Sequence, residues 1–241
     1  MLSLAPEIIF KIGFFPITNT LLETLLVDVI LVGLAYYISK KVALIPTNML
    51  ENMAEWTIET FYALTESINL HSASKIFPYF MTFFLFILFA NWSALIPGVG
   101  SIGFFHKHEF IPLLRGATSD LNTTLGLALV SLIATHALSI NITGIRDYLG
   151  RYFSLNPVML YVGILELASE GTKVVSLSFR LFGNIYAGEV VIGTVTSIFA
   201  FLFPLPFLGL EVIVGFVQAL VFSMLTMAFM AILTTPHKEG H

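Results

Sequence analysis

Two apolar stretches near the C-terminus, residues 157–200 and 207–235, are each longer than one upright membrane crossing needs. A spanning helix takes about 20 mostly apolar residues, rising about 1.5 Å each across a hydrocarbon core of about 30 Å. Segments of roughly 40 and 30 residues extend roughly 60 and 45 Å, so they must tilt steeply, kink or lie partly flat. Pro204 and Pro206 separate them, which predicts a hairpin of two long helices. Three shorter apolar runs precede the hairpin, at residues 20–39, 77–96 and 119–142.

Composition agrees with a bilayer. Of 241 residues, 57% are hydrophobic and 11% charged, against about 25% charged in an ordinary soluble domain, and the mean hydropathy is +0.91. A water-soluble globule is excluded. The net charge of −4 leaves no basic surface for a nucleic acid, and none is expected as a partner. With no cysteine there is no disulfide framework and no thiolate metal site. The chain carries no HExxH, Walker-type or GxSxG motif, and neither a cofactor nor a metal is expected.

Residues 1–19 lack the clean apolar core and small-residue cleavage site of a removable signal and read as an external N-terminal segment. Between residues 47 and 69, Leu50, Met53, Phe61, Leu64 and Ile68 share one helical face, while Glu51, Glu55 and Glu59 recur every fourth residue on another. That pattern predicts an amphipathic helix lying along an interface. Ser119-Asp120 is placed as the N-cap of the third short span and Gly144 as its stop. The fold expected is all-α and integral to the membrane: a single membrane domain over 1–241, with about five embedded helices and one interfacial helix. Placing the N-terminus outside puts Lys40, Lys41, Lys75, Arg146, Arg151 and Lys238 on the cytoplasmic side, and Lys11, Lys107 and Arg115 outside. This is the positive-inside arrangement, with the C-terminus cytoplasmic.

The chain keeps charges where lipid should be. An ionised side chain at the bilayer centre costs about 2.5–3.5 kcal/mol on insertion scales, so such residues face protein or water and mark ion paths. Glu166, Ser169, Lys173, Ser176, Arg180 and Asn184 follow one another in steps of three or four, one polar stripe on an apolar cylinder. Glu211 and Gln218 lie seven residues apart on the last helix. Glu189 and Glu211 sit near the outer turn and Glu166 toward the cytoplasmic end, so acids flank Arg180 on both sides, the layout of two separate half-paths. Sequence leaves a second use open for most of these groups. Lys173 and Arg180 can pair with Glu166, Glu170 or Glu189, Glu189 and Glu211 can serve as protonated interhelical glue, and Asp120 can be a cap alone. Asn91 and His136 fit interhelical hydrogen bonding. Glu23 and Asp28 have no assigned role.

Residues Ser176 to Glu189 read Ser-Leu-Ser-Phe-Arg-Leu-Phe-Gly-Asn-Ile-Tyr-Ala-Gly-Glu. With Leu-Glu-Leu-Ala-Ser at 165–169, the Asn91 to Pro97 segment, Ser-Asp-Leu-Asn-Thr-Thr at 119–124 and Gln218-Ala219, the chain resembles subunit a of F-type ATP synthases from about residue 17 to 235. The resemblance implies a proton-translocating stator subunit, not itself catalytic, in a bacterial inner membrane. Its partners would be the c-ring, the subunit b peripheral stalk and the other synthase subunits. It makes Arg180 the residue that faces the ring carboxylates and blocks a proton short-circuit. Asn184, Glu189, Glu211, Gln218 and Asp120 fall to the outer half-channel, and Glu166, Ser169 and Lys173 to the cytoplasmic one. Many relatives combine an acid with a histidine at the 189 and 211 positions, whereas this chain has Glu at both. The competing class is a proton-coupled secondary transporter with Arg180 binding an anionic substrate. Such a protein should show inverted repeats, and the chain has no internal repeat.

Overall fold

The computed structural model describes residues 6–12, 15–41, 48–96, 99, 102–106, 109–152, 157–198 and 204–235. Pro46, Pro97-Gly98, Lys107, Lys238, the segment 199–203 and the C-terminal residues 236–241 lie outside the described residues, as do the side chains of Lys41 and Leu50. Seven helices are described: α1 Asn19–Lys41, α2 Met49–Ile68, α3 Ala73–Ala94, α4 Leu121–Thr143, α5 Ile145–Tyr152, α6 Pro157–Ile198 and α7 Pro204–Thr234. Five of them, all but α2 and α5, are long and apolar enough to cross a membrane, and the protein is an all-α, multi-pass integral membrane protein.

The long pair is continuous. α6 runs for 42 residues and α7 for 31, roughly 60 and 45 Å at the α-helical rise. They pack antiparallel, with Gly188 meeting Glu211 near one end and Lys173 lying over the Phe229 ring toward the other. On α6 the buried face is Val174, Leu177, Leu181 and Ile185, spaced at the helical repeat. These meet Phe83, Phe84 and Ile87 of α3, Ala128 of α4 and Phe222 of α7 in one core, and a second core gathers Ile76 and Phe80 with Leu138, Met227 and Met230.

Polar contacts fasten the helices inside the apolar bundle. Thr124 and Ser178 hydroxyls lie 3.1 Å apart between α4 and α6, and Ser131 and Thr226 hydroxyls 2.8 Å apart between α4 and α7. Ser139 donates to the Leu233 carbonyl at 2.7 Å. With no water to compete, such bonds fix the rotation of each helix against its neighbour. Asp120 caps α4 by accepting from the Asn122 backbone N–H at 3.0 Å. Gly144 closes that helix with φ of +87°, a conformation that needs no Cβ.

Three features differ from the sequence expectation. Residues 8–12 and 15–18 pair as an antiparallel hairpin, β1–β2, and residues 103–106 and 109–112 as a second, β3–β4. Strands this short carry too little alternation to be read from sequence. α5 was not foreseen either; it follows the Gly144 turn directly and buries Tyr152. Finally, the apolar side of α2 is divided: Phe61 and Leu64 pack onto the core, while Met53, Trp56 and Ile68 remain exposed.

Candidate functional site

Arg180 stands on the exposed face of α6 together with Ser169, Thr172, Ser176 and Asn184. Its guanidinium donates to the Ser176 hydroxyl at 3.5 Å, and among the described residues it makes no ion pair within 4.0 Å. Beside it a groove of about 430 Å³ runs between α6 and α7, lined by Ser169, Lys173, Ser176, Arg180, Leu225 and Phe229 among others. An arginine keeps its charge at any accessible pH, so this groove presents a permanent cation on an otherwise greasy surface.

Toward the end of the bundle where α6 finishes and α7 starts, three helices bring acids together. Glu189 of α6 faces Ser119 and Arg115, and its carboxyl packs so closely on Gly116 that a Cβ there would stand 2.8 Å from Oε1. Glu211 of α7, only 6% exposed, lies against Gly188 of α6, where any side chain would collide with its carboxyl. Glu23 of α1 is 1% exposed and accepts from the Ser93 hydroxyl of α3 at 2.7 Å. Glu189 is within electrostatic reach of both Glu23 and Glu211. Each of the three acids keeps one buried oxygen without a hydrogen-bond partner among the described residues.

Hydrogen bonds between elements wall this cluster. Asn91 of α3 donates to the Gly215 carbonyl of α7 at 2.9 Å and accepts from Thr118 at 2.7 Å, and Trp92 donates to the Val212 carbonyl at 3.1 Å. Asp120 is 6% exposed, and its oxygens accept from Asn122, Thr123 and Thr20. It therefore ties the start of α1 to the start of α4. Gln218 is half-buried on α7, and Asn184 is exposed one turn from Arg180.

At the opposite end the acids are matched with cations. Lys173 Nζ bonds Glu170 Oε1 at 2.8 Å, so of the two acids within helical reach the structure selects Glu170. Glu166 turns away from the stripe to Arg151 of α5, whose Nε lies 3.8 Å from Oε1. The same guanidinium donates to the Ile232 and Leu233 carbonyls at 3.3 and 3.4 Å, satisfying the last turn of α7 as a basic side chain does at a helix C-terminus. His136 of α4 sits 2.9 Å from the Tyr148 hydroxyl through Nδ1 and 3.8 Å from Glu170 Oε2 through Nε2.

The structure thus brings Glu189 and Glu211 together, isolates Arg180, and separates Glu166 from Lys173. It also supplies residues that the sequence did not assign. Glu23 had a signal, an acid inside a span, but nothing within its own helix said which neighbour it would meet. The contacts of Ser93 with Glu23, and of His136 with Tyr148 and Glu170, arise only through packing between helices.

A family model described as ATP synthase A chain matches residues 21–231. The chain is 31% identical over 231 residues to "ATP synthase subunit a" of Moorella thermoacetica, covering 96% of this chain and 97% of that protein. It is 32% identical over 224 residues to the protein of the same name in Gloeobacter violaceus, covering 92% and 86%, and 30% identical over 222 residues to that of Legionella pneumophila, covering 92% and 89%. A match spanning all five long helices and both charged ends has one reading: the chain belongs to the ATP synthase A chain family.

Proposed function

We propose that the chain is the proton-translocating stator subunit of a bacterial F-type ATP synthase. In this reading it offers two offset half-paths that load and unload the carboxylates of a rotating c-ring. The observation that carries the reading is Arg180: a permanent cation on the exposed face of α6, beside a groove, out of ion-pair reach of the described acids of its own chain. A cation so placed needs a partner from outside, and a ring carboxylate sweeping past supplies one. At about 4 Å and an effective dielectric near 20 the attraction is roughly 4 kcal/mol, enough to favour the ionised carboxylate and release its proton.

The offset between the two ends prevents leakage. A proton crossing 100 mV releases about 2.3 kcal/mol, and a continuous wet route would dissipate it without turning a rotor. Protons enter at the Glu189 and Glu211 end, with Glu23 within electrostatic reach of Glu189, pass Asn184 and Gln218, and neutralise a ring carboxylate. Asp120 holds the wall of this entry by tying α1 to α4. After nearly a full turn the site meets Arg180 from the other side and empties toward Lys173, Ser169 and Glu166. The peripheral stalk subunit b and the remaining synthase subunits complete the assembly, and ATP is made elsewhere in it. The chain lies in the inner membrane with its N-terminus outside and its C-terminus cytoplasmic.

The test is Arg180→Ala in the assembled complex in energised vesicles. ATP synthesis is expected to vanish while assembly persists. Synthesis at the wild-type rate by a normally assembled variant would overturn the assignment.

A further inference from the structure

We propose that His136, with Glu170 and Tyr148, carries protons on the cytoplasmic side, through the packing of α4, α5 and α6 and not only along the exposed stripe of α6. The proposal rests on the stator reading above.

The groove beside Arg180 and a narrow crevice between α4, α6 and α7 share Lys173, Leu177 and Phe229 as walls. That crevice continues past Ser131 and Thr135 to Glu170. Glu170 is 7% exposed, with one oxygen on Lys173 and the other toward His136. The imidazole bridges from there to the Tyr148 hydroxyl. Tyr148 in turn lines a third crevice with Ser139, Thr143, Asp147 and Arg151, at the end where α4 and α7 finish. Polar groups therefore continue from the Arg180 groove to the cytoplasmic end of the bundle, and His136 is the member that joins the two halves.

Each group can do the step asked of it. A protonated Glu170 gives its proton to Nε2, forming an imidazolium beside a carboxylate. The imidazolium releases its Nδ1 proton to the Tyr148 oxygen as that hydroxyl gives its own proton to the crevice beyond. One proton enters and one leaves, and the ring returns to neutrality. Histidine is suited to this because its ordinary titration lies near cytoplasmic pH and its two nitrogens face different partners. Burial pushes the Tyr148 hydroxyl above its ordinary value, so it carries protons by exchange and not as a phenolate. The charged and titratable groups facing His136 are Tyr148 of α5 and Glu170 of α6, with Tyr152, Arg151, Glu166 and Lys173 adjoining. The only ionisable side chain of α7, Glu211, belongs to the other end.

Inverted vesicles containing the whole complex expose the cytoplasmic face to the medium, so its pH can be set directly. Initial rates of ATP-driven pumping, normalised to assembled complex, are measured from pH 5.5 to 8.5 for wild type, His136→Gln, Glu170→Gln and Tyr148→Phe. The relay predicts a several-fold fall for His136→Gln, loss of the inflection at imidazole-like pH, and partial rescue of His136→Ala by added imidazole. A wild-type rate and pH profile for His136→Gln overturns it, and so does a fall equal at every pH and indifferent to imidazole. Arg180→Ala in the same vesicles separates the two proposals. If that variant still couples, the stator reading fails. If it does not couple while His136→Gln behaves as wild type, only the relay fails.

Discussion

The two ends of the bundle handle acids in opposite ways. At one end Glu23, Glu189 and Glu211 converge from three helices, and each keeps a buried oxygen without a hydrogen-bond partner among the described residues. At the other end Glu166 and Glu170 meet Arg151, Lys173 and His136. A cation beside a carboxylate favours the ionised form, so a proton that reaches such a group is readily passed on, whereas like charges brought together favour protonated forms. In the proposed stator, the Glu189 and Glu211 end therefore suits proton uptake, and the Glu166 and Glu170 end proton release. Arg180 lies between them and joins neither set.

The largest expected effect strikes at that separation. Arg180→Lys retains a cation but replaces a delocalised, always-charged fork with a compact amine that can lose its proton when desolvated. Driven ATP synthesis should fall nearly to the level of Arg180→Ala. A lysine variant synthesising ATP at close to the wild-type rate would mean that charge alone suffices.

Next in size, Glu189→Gln and Glu211→Gln should each slow proton entry without abolishing assembly. The double variant should be less than additive, since the two act as one titrating set. Rates of ATP-driven pumping across the set measure this, and independent multiplicative losses would dissolve the cluster into separate sites. Gly188→Ala tests the same cluster through its geometry. The new methyl collides with the Glu211 carboxyl, so pumping should fall toward the Glu211→Gln level, and an unaffected variant would show that Glu211 need not lie there.

Smaller effects belong to the Glu166 and Glu170 end. Arg151→Ala removes the partner of Glu166 and the donors to the Ile232 and Leu233 carbonyls. Loss of such partly exposed charge-assisted bonds costs on the order of 1 kcal/mol, so thermal denaturation of the purified complex should occur a few degrees lower while conduction changes little. The smallest effect is alkaline. Burial raises Tyr148 and Tyr152 above the ordinary value of 10.0. Below that pH the folded and unfolded chains bind the same protons at these sites. Above it the unfolded chain loses protons first, so stability falls as pH rises. Tyr152→Phe should therefore lessen loss of the complex above about pH 10, and equal loss in both proteins would show that these hydroxyls do not contribute.

Much of this molecule is written along its chain. Apolar run length marks five spans, and steps of three and four residues place Ser169, Ser176, Arg180 and Asn184 on one face. The motif from Ser176 to Glu189 carries the family, and Asp120 and Gly144 mark the ends of α4. All of these are properties of one helix or one turn, fixed by backbone periodicity and local hydrogen bonding. What packing alone decided is which helix meets which: Glu23 beside Ser93 and Glu189, Glu211 against Gly188, Glu166 drawn to Arg151, and His136 set between Tyr148 and Glu170. Those pairings depend on the rotation and vertical register of separate helices. In a bilayer these are set by interhelical van der Waals contact and hydrogen bonds, which no periodicity within a single helix encodes.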